Sequence, residues 1–378
     1  MSNSNSSNQI EVILLGASTR AAAGSARRAG WTPWCADLFA DADLQTIAKV
    51  RKVAIEAYPH GLLDVLAEAP QAAVIYTGAL ENRPDLIARI DRPLWGNSPD
   101  VLRAIHAPRR WTQCLQAHSL PTPAIAEEPQ SAGRWLLKPR KSAGGFGIQV
   151  YTGQPFNPFT HFLQEWIDGL PCSAIFLGYE VSANLLGVTG QLVGTPWLNA
   201  AGFHYAGNIG PLPLDPTAKA RWHHLGAVLT RAFCLRGLFG IDAILRDGVP
   251  WPIEINPRYT ASVELLERGY ARPLLPSHRA VFEKLPPPTF DAPTDSPACG
   301  KAILFARERF SFPKDGPWLA DLAYAGGAEA AYADIPHAGE IIEQGRPVLT
   351  LFAAGKTAAQ CLGILHEKAQ ALDRRLWG

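Results

Sequence analysis

The sequence lacks the charge excess and the long apolar runs that mark two large functional classes. Its 35 lysines and arginines nearly balance 34 aspartates and glutamates, which gives a net charge of +1. Nucleic-acid binding needs a concentrated basic face, and the pairs at 27–28 and 109–110 are too short to provide one. No apolar run reaches the length of a membrane span. We therefore expect small-molecule partners, with neither nucleic acid nor membrane among them.

Signatures of a secretory leader, of metal-thiolate sites and of the common nucleotide loops are also missing. The N-terminal segment MSNSNSSNQIE is polar and has no apolar core, so we expect a cytoplasmic protein. None of the six widely spaced cysteines forms a C-x-x-C pair, which argues against a zinc or redox centre and a disulfide framework. A G-x-x-x-x-G-K-[ST] loop is absent, and no G-x-G-x-x-G follows the first predicted strand, which weakens the case for a Rossmann oxidoreductase.

What is present over residues 1–100 is an alternation of strands and helices. IEVILLGAS, WTPWCADLF and AAVIYTGA predict buried strands, and PLWGNS predicts a short fourth. TRAAAGSARRAG and LLDVLAEAP predict the intervening helices. This order predicts an open, Rossmann-like parallel sheet. Its strand-to-helix turns at Gly16 and Gly78 mark the carboxyl edge, where ligands tend to bind.

Two further blocks follow. Residues 101–285 begin with two predicted helices, continue in a strand-rich stretch over 134–210 and include a long helix over 217–236. LPPPTFDAPTDSPACG predicts a stiff connector. In residues 286–378, KAILFARE and PVLTLFAAG predict strands before an amphipathic final helix. The predicted fold class is α/β combined with α+β, in domains 1–100, 101–285 and 286–378.

A glycine-rich turn follows an apolar strand in LLKPRKSAGGFGIQV. Residues 134–139 and 146–152 predict the two strands of a hairpin. Glycines let backbone N–H groups approach an anion closely, and lysine adds a point charge. The turn therefore predicts a phosphate site, with an ordinary glycine-rich hairpin as the alternative. The candidate residues are Lys138, Lys141, Ser142, Gly144, Gly145 and Gly147.

A second hairpin, GIDAILRDGVPWPIEINPR, places isolated polar residues in apolar strands. A three-residue loop would set Asp242 directly opposite Glu254, with Asn256 on the same face because strand side chains alternate. A two-residue loop would make the two acids diagonal neighbours. Carboxylate and amide oxygens suit Mg²⁺ shared with phosphates. The pattern predicts a metal site at Asp242, Glu254 and Asn256, and Arg258 can reach the same face.

Together these segments resemble the ATP-grasp superfamily, in its carboxylate–amine ligase type. Residue 138 in LLKP resembles the family's second nucleotide lysine, and residues 142–147 resemble its phosphate loop. LQEWIDG resembles the adenine hinge, and GIDAIL and PIEINPR resemble the two metal strands. The first block resembles the α/β domain that precedes the ATP-grasp core. IPHAGEIIEQGRPVLTLFAAG resembles the C-terminal segment of the biotin-carboxylase branch.

The resemblance implies a two-lobed ATP-grasp core between a Rossmann-like domain and a small C-terminal α+β domain. It implies ATP with Mg²⁺ or Mn²⁺ as cofactors. Glu165, Trp166 and Ile167 would line the adenine base. Arg258 would be the catalytic residue, holding the carboxylate and its phosphorylated form.

The sequence departs from the family pattern at two points. The first nucleotide lysine falls near Arg109 or Arg110, so Arg109 is the expected substitute for ATP binding. The acid that usually holds the ribose is replaced by Pro171 and Cys172. The opening segment LLGASTRAAAGSARRAG and the segment FHYAGNIGP instead resemble the branch that contains the tyramine–glutamate ligase of methanofuran biosynthesis.

The segment FHYAGNIGP also predicts a substrate loop, in which His204, Tyr205 and Asn208 flank two glycines. A turn with an internal polar network is the alternative. Arg20 and Asn97 are further candidates to face the substrate cleft.

The function implied is activation of a carboxylate as an acyl phosphate on Mg-ATP and its transfer to an amine, in small-molecule or cofactor biosynthesis. No Ser-His-Asp or Cys-His arrangement is evident, which fits a reaction without a covalent enzyme intermediate. Carboxyphosphate chemistry with bicarbonate, as in biotin-carboxylase relatives, is one alternative. A non-catalytic ATP-binding regulatory protein is another. An apolar helix over residues 20–29 is a candidate surface for a homodimer.

Overall fold

The computed structural model of the protein describes residues 9–128, 130, 132–286, 296–322 and 329–378. Residues 287–295 of the proline-rich connector lie outside the described residues, so the prediction for that segment stays a prediction.

The first block is a four-stranded parallel sheet in the order β3-β2-β1-β4. Its strands are Glu11–Gly16, Thr32–Asp37, Lys49–Lys52 and Ala73–Tyr76 for β1 to β4. Its helices are Arg20–Arg28, Ala42–Ile47, Gly61–Asp64 and Pro84–Ile87 for α1 to α4. The predicted parallel sheet is confirmed. Strand β3 was not predicted because KVRK has no apolar run, and the predicted fourth strand makes only an isolated bridge between Val74 and Leu94.

The second block starts with α5 (Pro99–Ile105) and α6 (Pro108–Ala117), which confirms the two predicted helices. A small antiparallel sheet follows in the order β5-β8-β6-β7. Its strands β5 to β8 are Ile125–Ala126, Trp135–Pro139, Gln149–Val150 and His161–Glu165. The predicted glycine-rich hairpin is present as β6 and β7, which pair through Leu136–Val150 and Leu137–Gln149.

A large sheet of eight strands covers the remainder of the chain, in the order β13-β12-β9-β10-β11-β14-β18-β16. Strands β9 to β13 are Leu170–Tyr179, Ser182–Val193, Tyr205–Gly210, Gly237–Arg246 and Val249–Asn256. Strands β14, β16 and β18 of this sheet are Ala298–Phe305, Tyr332–Ala333 and Pro347–Gly355. Strands β15 (Phe310–Ser311) and β17 (Ile341–Ile342) pair with each other in a separate two-stranded sheet. Strand β11 pairs with β14, so the C-terminal segment extends the large sheet. The boundaries of the three predicted domains stay predictions.

Helices cover this sheet. Helices α7 to α11 are Pro216–Phe233, Ala261–Gly269, Leu275–Phe282, Leu319–Leu322 and Ala358–Trp377. Helix α7 buries Trp222 and Leu229 in a cluster with Phe176 and Phe239, whose rings stack with centroids 5.2 Å apart. Each such large side chain contributes about 1.5–3 kcal/mol when it is fully buried. This core fixes β9 and β12, two strands that carry site residues.

A buried ion cluster joins the three blocks. Arg20 on α1 pairs with Glu264 on α8 and with Asp334, and Lys301 on β14 lies 2.7 Å from Glu264. Although burial opposes its charge, Arg20 and Lys301 hold the pKa of Glu264 well below its ordinary value. Arg20 was a candidate to face the substrate cleft, and the structure does not support that role because its guanidinium is enclosed by these carboxylates.

A buried histidine gives the fold a predicted pH dependence. Nδ1 of His278 accepts the N–H of Leu238 at 2.8 Å, and Nε2 lies 2.9 Å from the carbonyl oxygen of Trp95. Burial lowers the pKa of His278 from 6.5 to about 4. Because the folded protein holds the neutral ring, stability is full above pH 6.5 and decreases as the pH falls toward about 4, by about 3 kcal/mol.

The measurement is the thermal midpoint as a function of pH. His278→Gln should flatten the profile over that range, whereas the exposed-site control His224→Gln should leave it unchanged. A wild-type profile that stays flat between these pH values would contradict the assignment.

Candidate active site

A cavity of about 450 Å³ opens between the small sheet and the large sheet, and we call it the main cavity. It brings together most of the candidate residues from four separate stretches of the chain. Those in its lining are Lys138, Gly144, Gly145, Glu165, Trp166, Ile167, Tyr205, Asp242, Glu254, Asn256 and Arg258.

The glycine-rich turn is held against the strand segment across the cavity. Gly144, Gly145 and Gly147 all have positive φ, of 63°, 78° and 78°. The carbonyl of Gly144 accepts the N–H of Tyr205 at 2.9 Å. A Cβ on residue 145 would lie 1.9 Å from the carbonyl oxygen of Phe203. Only glycine allows this approach, which keeps the turn over the cavity as a phosphate loop requires.

Lys138 spans the gap between the two sheets. Its Nζ donates to Oε1 of Gln164 at 3.2 Å on the small sheet and to the carbonyl of Ile253 at 3.4 Å on the large sheet. Burial lowers the pKa of Lys138, and the charges of Glu254 and Asp242 oppose that shift. An anion placed beside this ammonium would therefore gain a strong, little-screened partner.

The hairpin of β12 and β13 carries Asp242 and Glu254, and its register shows how many residues its loop has. Arg246 pairs with Val249, so the loop has two residues, Asp247 and Gly248, both with positive φ as in a type I′ turn. The register then shifts by one residue next to Asp242, so that Asp242 still pairs directly with Glu254. The extra residue is Ile253, and this bulge accompanies the carbonyl contact with Lys138.

The carboxylate of Asp242 is the centre of the hairpin's polar face. Its Oδ1 accepts Nε2 of Gln191 at 3.1 Å, and its Oδ2 accepts Nδ2 of Asn256 at 3.0 Å. Burial, followed by the charge of Glu254, raises the pKa of Asp242 to about 6. Two facing carboxylates repel each other, and a cation between them would relieve that repulsion.

These oxygens fit a hard divalent cation. Two carboxylates and the amide of Asn256 are hard donors of the kind Mg²⁺ prefers, and Mg²⁺ commonly takes its other ligands from phosphates and water. Among the described residues, no group of three or more His, Cys, Asp or Glu side chains is arranged to hold a metal. The candidate metal site is this mixed set, and it shares the main cavity with the glycine-rich turn.

Arg258 is fixed from three directions. Its Nε lies 2.6 Å from Oε1 of Glu81, and its other nitrogens donate to Oδ1 of Asn256 at 3.1 Å and to the carbonyl of Tyr259 at 3.2 Å. Burial opposes the charge, but Glu81 and Glu254 keep the pKa of Arg258 above its ordinary value. The guanidinium is therefore a permanent cation in the lining, able to hold an anionic substrate group.

Asn97 supports this arginine from behind rather than facing a cleft. Its Nδ2 donates to the carbonyl of Pro257 at 3.0 Å, and its Oδ1 accepts the N–H of Arg236 at 2.9 Å. The expectation that Asn97 faces substrate is therefore wrong, because both ends of its amide are used on backbone.

The hinge places an aromatic wall in the cavity. The Arg134 guanidinium lies 4.4 Å from the centroid of the Trp166 ring, and Nε1 of Trp166 donates to Asp168 at 2.8 Å. Phe203 meets the same ring edge-on at 5.8 Å. The Glu165 carboxylate instead accepts the N–H of Ala124 at 3.0 Å. Glu165 therefore lines the cavity while its carboxylate binds the backbone.

Six candidate residues lie outside the main cavity: Lys141, Ser142, Gly147, Arg109, His204 and Asn208. Arg109 on helix α6 is half-exposed, with Nε 3.4 Å from Oε2 of Glu127. Its assignment as a nucleotide ligand has no geometric support. His204 stacks on Phe146 at 4.1 Å and so holds the loop. Asn208 is fully buried between Tyr205 and Thr189, as in the polar-network alternative.

Three residues at the site were missed by the sequence reasoning. Gln164 and Gln191 orient Lys138 and Asp242, and Glu81 pairs with Arg258. Glu81 follows the third predicted strand, at the carboxyl edge marked by Gly78, so its position held a usable signal. The glutamines lie in strands with no distinctive motif, and only the pairing of strands reveals them.

No described helix combines the length and apolar character needed to cross a membrane.

Comparisons with known proteins agree with this geometry. Residues 109–262 match the family model of the ATP-grasp domain. An uncharacterized protein of Methanocaldococcus jannaschii is 23% identical over 97% of this chain and 94% of its own.

Solved structures resemble the whole chain. An L-amino acid ligase from Bacillus licheniformis superposes with a TM-score of 0.69 at 13% identity, over 96% of this chain and 97% of its own. A biotin carboxylase from Campylobacter jejuni, in complex with beta-gamma-ATP, superposes with a TM-score of 0.69 at 13% identity, over 94% of this chain and 90% of its own. At such identities the likeness shows the fold, in which a Rossmann-like block precedes the ATP-grasp core. Residues 109–262 therefore match the ATP-grasp domain family, and the whole chain shares the fold of these solved structures.

Proposed function

We propose that the protein is an ATP-dependent ligase that activates a carboxylate as an acyl phosphate and transfers the acyl group to an amine. The observation that carries the proposal is the convergence of Lys138, the glycine loop, the Asp242–Glu254 pair and Arg258 on one cavity. Phosphoryl transfer requires positioning and charge neutralisation rather than a protein nucleophile, and these groups supply both.

Each group has a distinct task. Lys138 and the backbone N–H groups of residues 142–147 would hold the phosphates, and the Trp166 wall would pack against the base. Asp242, Glu254 and Asn256 would hold Mg²⁺ (or Mn²⁺), which neutralises charge on the transferred phosphoryl group. Arg258 would position the carboxylate for attack and then hold the acyl phosphate. Holding the two reactants together removes much of the entropic barrier.

Two comparison structures are named for different reactions and support the two substrate classes equally. An amino acid ligase and a biotin carboxylase share the fold with the same TM-score, so the fold does not separate an organic carboxylate from bicarbonate. Bicarbonate therefore belongs in any substrate panel. A non-catalytic nucleotide-binding role is the remaining candidate, and it is favoured by Pro171, which lies in the cavity lining where the family has its ribose acid.

The test measures ADP release from Mg-ATP with a panel of amino acids, other organic carboxylates and bicarbonate, with hydroxylamine as a trap. Hydroxylamine converts an acyl phosphate to a hydroxamate, which is read as its coloured iron(III) complex. We expect one carboxylate to stimulate both signals, and Glu254→Gln to abolish both. ADP release stimulated by bicarbonate alone would establish carboxyphosphate chemistry instead. Tight Mg-ATP binding with no stimulated turnover would favour the non-catalytic role.

A further inference from the structure

A second, smaller cavity of about 80 Å³ lies next to the main cavity, and we call it the side cavity. The lining of both cavities includes Lys138, Gly144, Gly145 and Glu254, so the two spaces meet at the proposed phosphate and metal site. A cavity needs about 10–15 Å³ for one water, so this space has room for the amino end of a small molecule.

Two polar side-chain atoms are buried without a hydrogen-bond partner, and one of them belongs to a residue that lines the side cavity. One is Nε2 of His106, whose side chain lines the side cavity. The other is Oε2 of Glu81, whose second oxygen holds Arg258 at 2.6 Å. Both atoms accept hydrogen bonds, and the neighbouring residue Asn82 also lines the side cavity. Buried acceptors of this kind match a donor-rich guest, such as an ammonium group with its three N–H bonds.

The tautomer of His106 is set by its surroundings. The ring hydrogen-bonds the backbone of Glu81, and since Nε2 has no partner, Nδ1 makes that bond. A ring that donates from Nδ1 carries a free lone pair at Nε2. Burial also lowers the pKa of His106, while the charges of Glu81 and Glu254 oppose that shift and Arg258 adds to it. The resting ring is therefore a neutral proton acceptor.

Three charged side chains line the side cavity: Lys138, Arg140 and Glu254. Lys138 donates to Gln164 and to the carbonyl of Ile253, and it is the proposed phosphate ligand. Arg140 is paired with Glu127 and donates to the carbonyl of Pro158 at 2.8 Å. The carboxylate of Glu254 faces the same space.

We propose that the side cavity receives the amino group of the acceptor substrate and that Nε2 of His106 takes a proton from it. The proposal rests on the ligase function proposed above. The ammonium group loses one proton to Nε2, which frees the nitrogen lone pair. That pair forms the C–N bond to the carbonyl carbon of the acyl phosphate as the C–O bond to phosphate breaks. The phosphate leaves with the bonding electrons and takes the second proton from nitrogen, and the imidazolium returns its proton to solvent.

The test compares two small amines of similar size in His106→Gln and in wild type at neutral pH. Ammonium must lose a proton before it attacks, whereas hydroxylamine is already uncharged. With ammonium, we expect amide formation by the variant to decrease by about 10²–10⁴-fold, the usual contribution of a general base. With hydroxylamine, hydroxamate formation should be nearly unchanged.

His118→Gln is the matched control, because His118 also follows the last residue of its helix but is exposed. It should behave as wild type with both amines. An equal loss with both amines in His106→Gln would indicate a structural role and overturn the proposal. A wild type that makes hydroxamate but never the amide would also overturn it. Absence of hydroxamate with every carboxylate would instead contradict the ligase function itself.

Discussion

Asp242→Asn is expected to reduce stimulated ADP release by about 100-fold or more, because it removes a carboxylate from the proposed metal set. The same change should leave the protein as stable as wild type or more so. Burial and Glu254 raise the pKa of Asp242 to about 6, so the ionised carboxyl is unfavourable when no cation is bound. Loss of function without loss of stability is the pattern of a functional site.

Asp247→Asn is the matched control for this prediction. Asp247 lies on the same hairpin, is exposed and has φ of 52°, a conformation that asparagine adopts readily. Turnover, Mg-ATP affinity by calorimetry and the thermal midpoint should all match wild type in this control. If Asp242→Asn retains full turnover, or loses activity only because it unfolds, the metal assignment is wrong.

Gly145→Ala is expected to weaken Mg-ATP binding by at least about tenfold, since the added Cβ combines backbone strain with a steric clash. The methyl group would meet the carbonyl oxygen of Phe203 at 1.9 Å, and φ at this position is 78°. The loop would have to move away from residues 203–205 and give up its bond from Tyr205 to Gly144. The measurement is the KM for ATP, together with the thermal midpoint.

Gly153→Ala is the control that separates backbone strain from the steric clash. Gly153 also has positive φ, of 97°, but its Cβ would meet nothing within 4 Å. It therefore shares the backbone cost without the contact, and its KM should stay near that of wild type. Equal effects of the two substitutions on KM would show that loop contact with Phe203 is irrelevant to nucleotide binding.

The sequence predicted the elements that carry strong local patterns. Buried strands such as β1 and β12 have continuous apolar runs, and the isolated polarity of Asp242 and Glu254 within such runs indicated a shared site. The sequence left open whether these two acids are opposite or diagonal, and the structure pairs them directly although the loop has two residues. The two-residue turn alone would make the two acids diagonal neighbours. The one-residue bulge at Ile253 brings them into direct opposition. The period-two alternation of strand side chains cannot reveal such a bulge.

Long-range placement was the part that local patterns could not supply. Arg20 was a candidate to face the substrate cleft, and Arg109 was the expected substitute for the family's first nucleotide lysine. Tertiary packing instead places Arg20 in a buried ion cluster and leaves Arg109 half-exposed beside Glu127. Glu81 and His106 come from loops distant in sequence from Arg258. Their proximity follows from docking of the first block on the ATP-grasp core. A cytoplasmic location, a homodimer and the tyramine–glutamate branch stay predictions.

The central claim is that the carboxylate is phosphorylated before the amine attacks. It is tested most directly with the stimulating carboxylate labelled with ¹⁸O in both oxygens, followed by mass analysis of the released phosphate. An acyl phosphate must leave one substrate oxygen on phosphate, so we expect one ¹⁸O in each phosphate formed during ligation. Phosphate that carries no ¹⁸O, or release of AMP and pyrophosphate in place of ADP, would contradict the account.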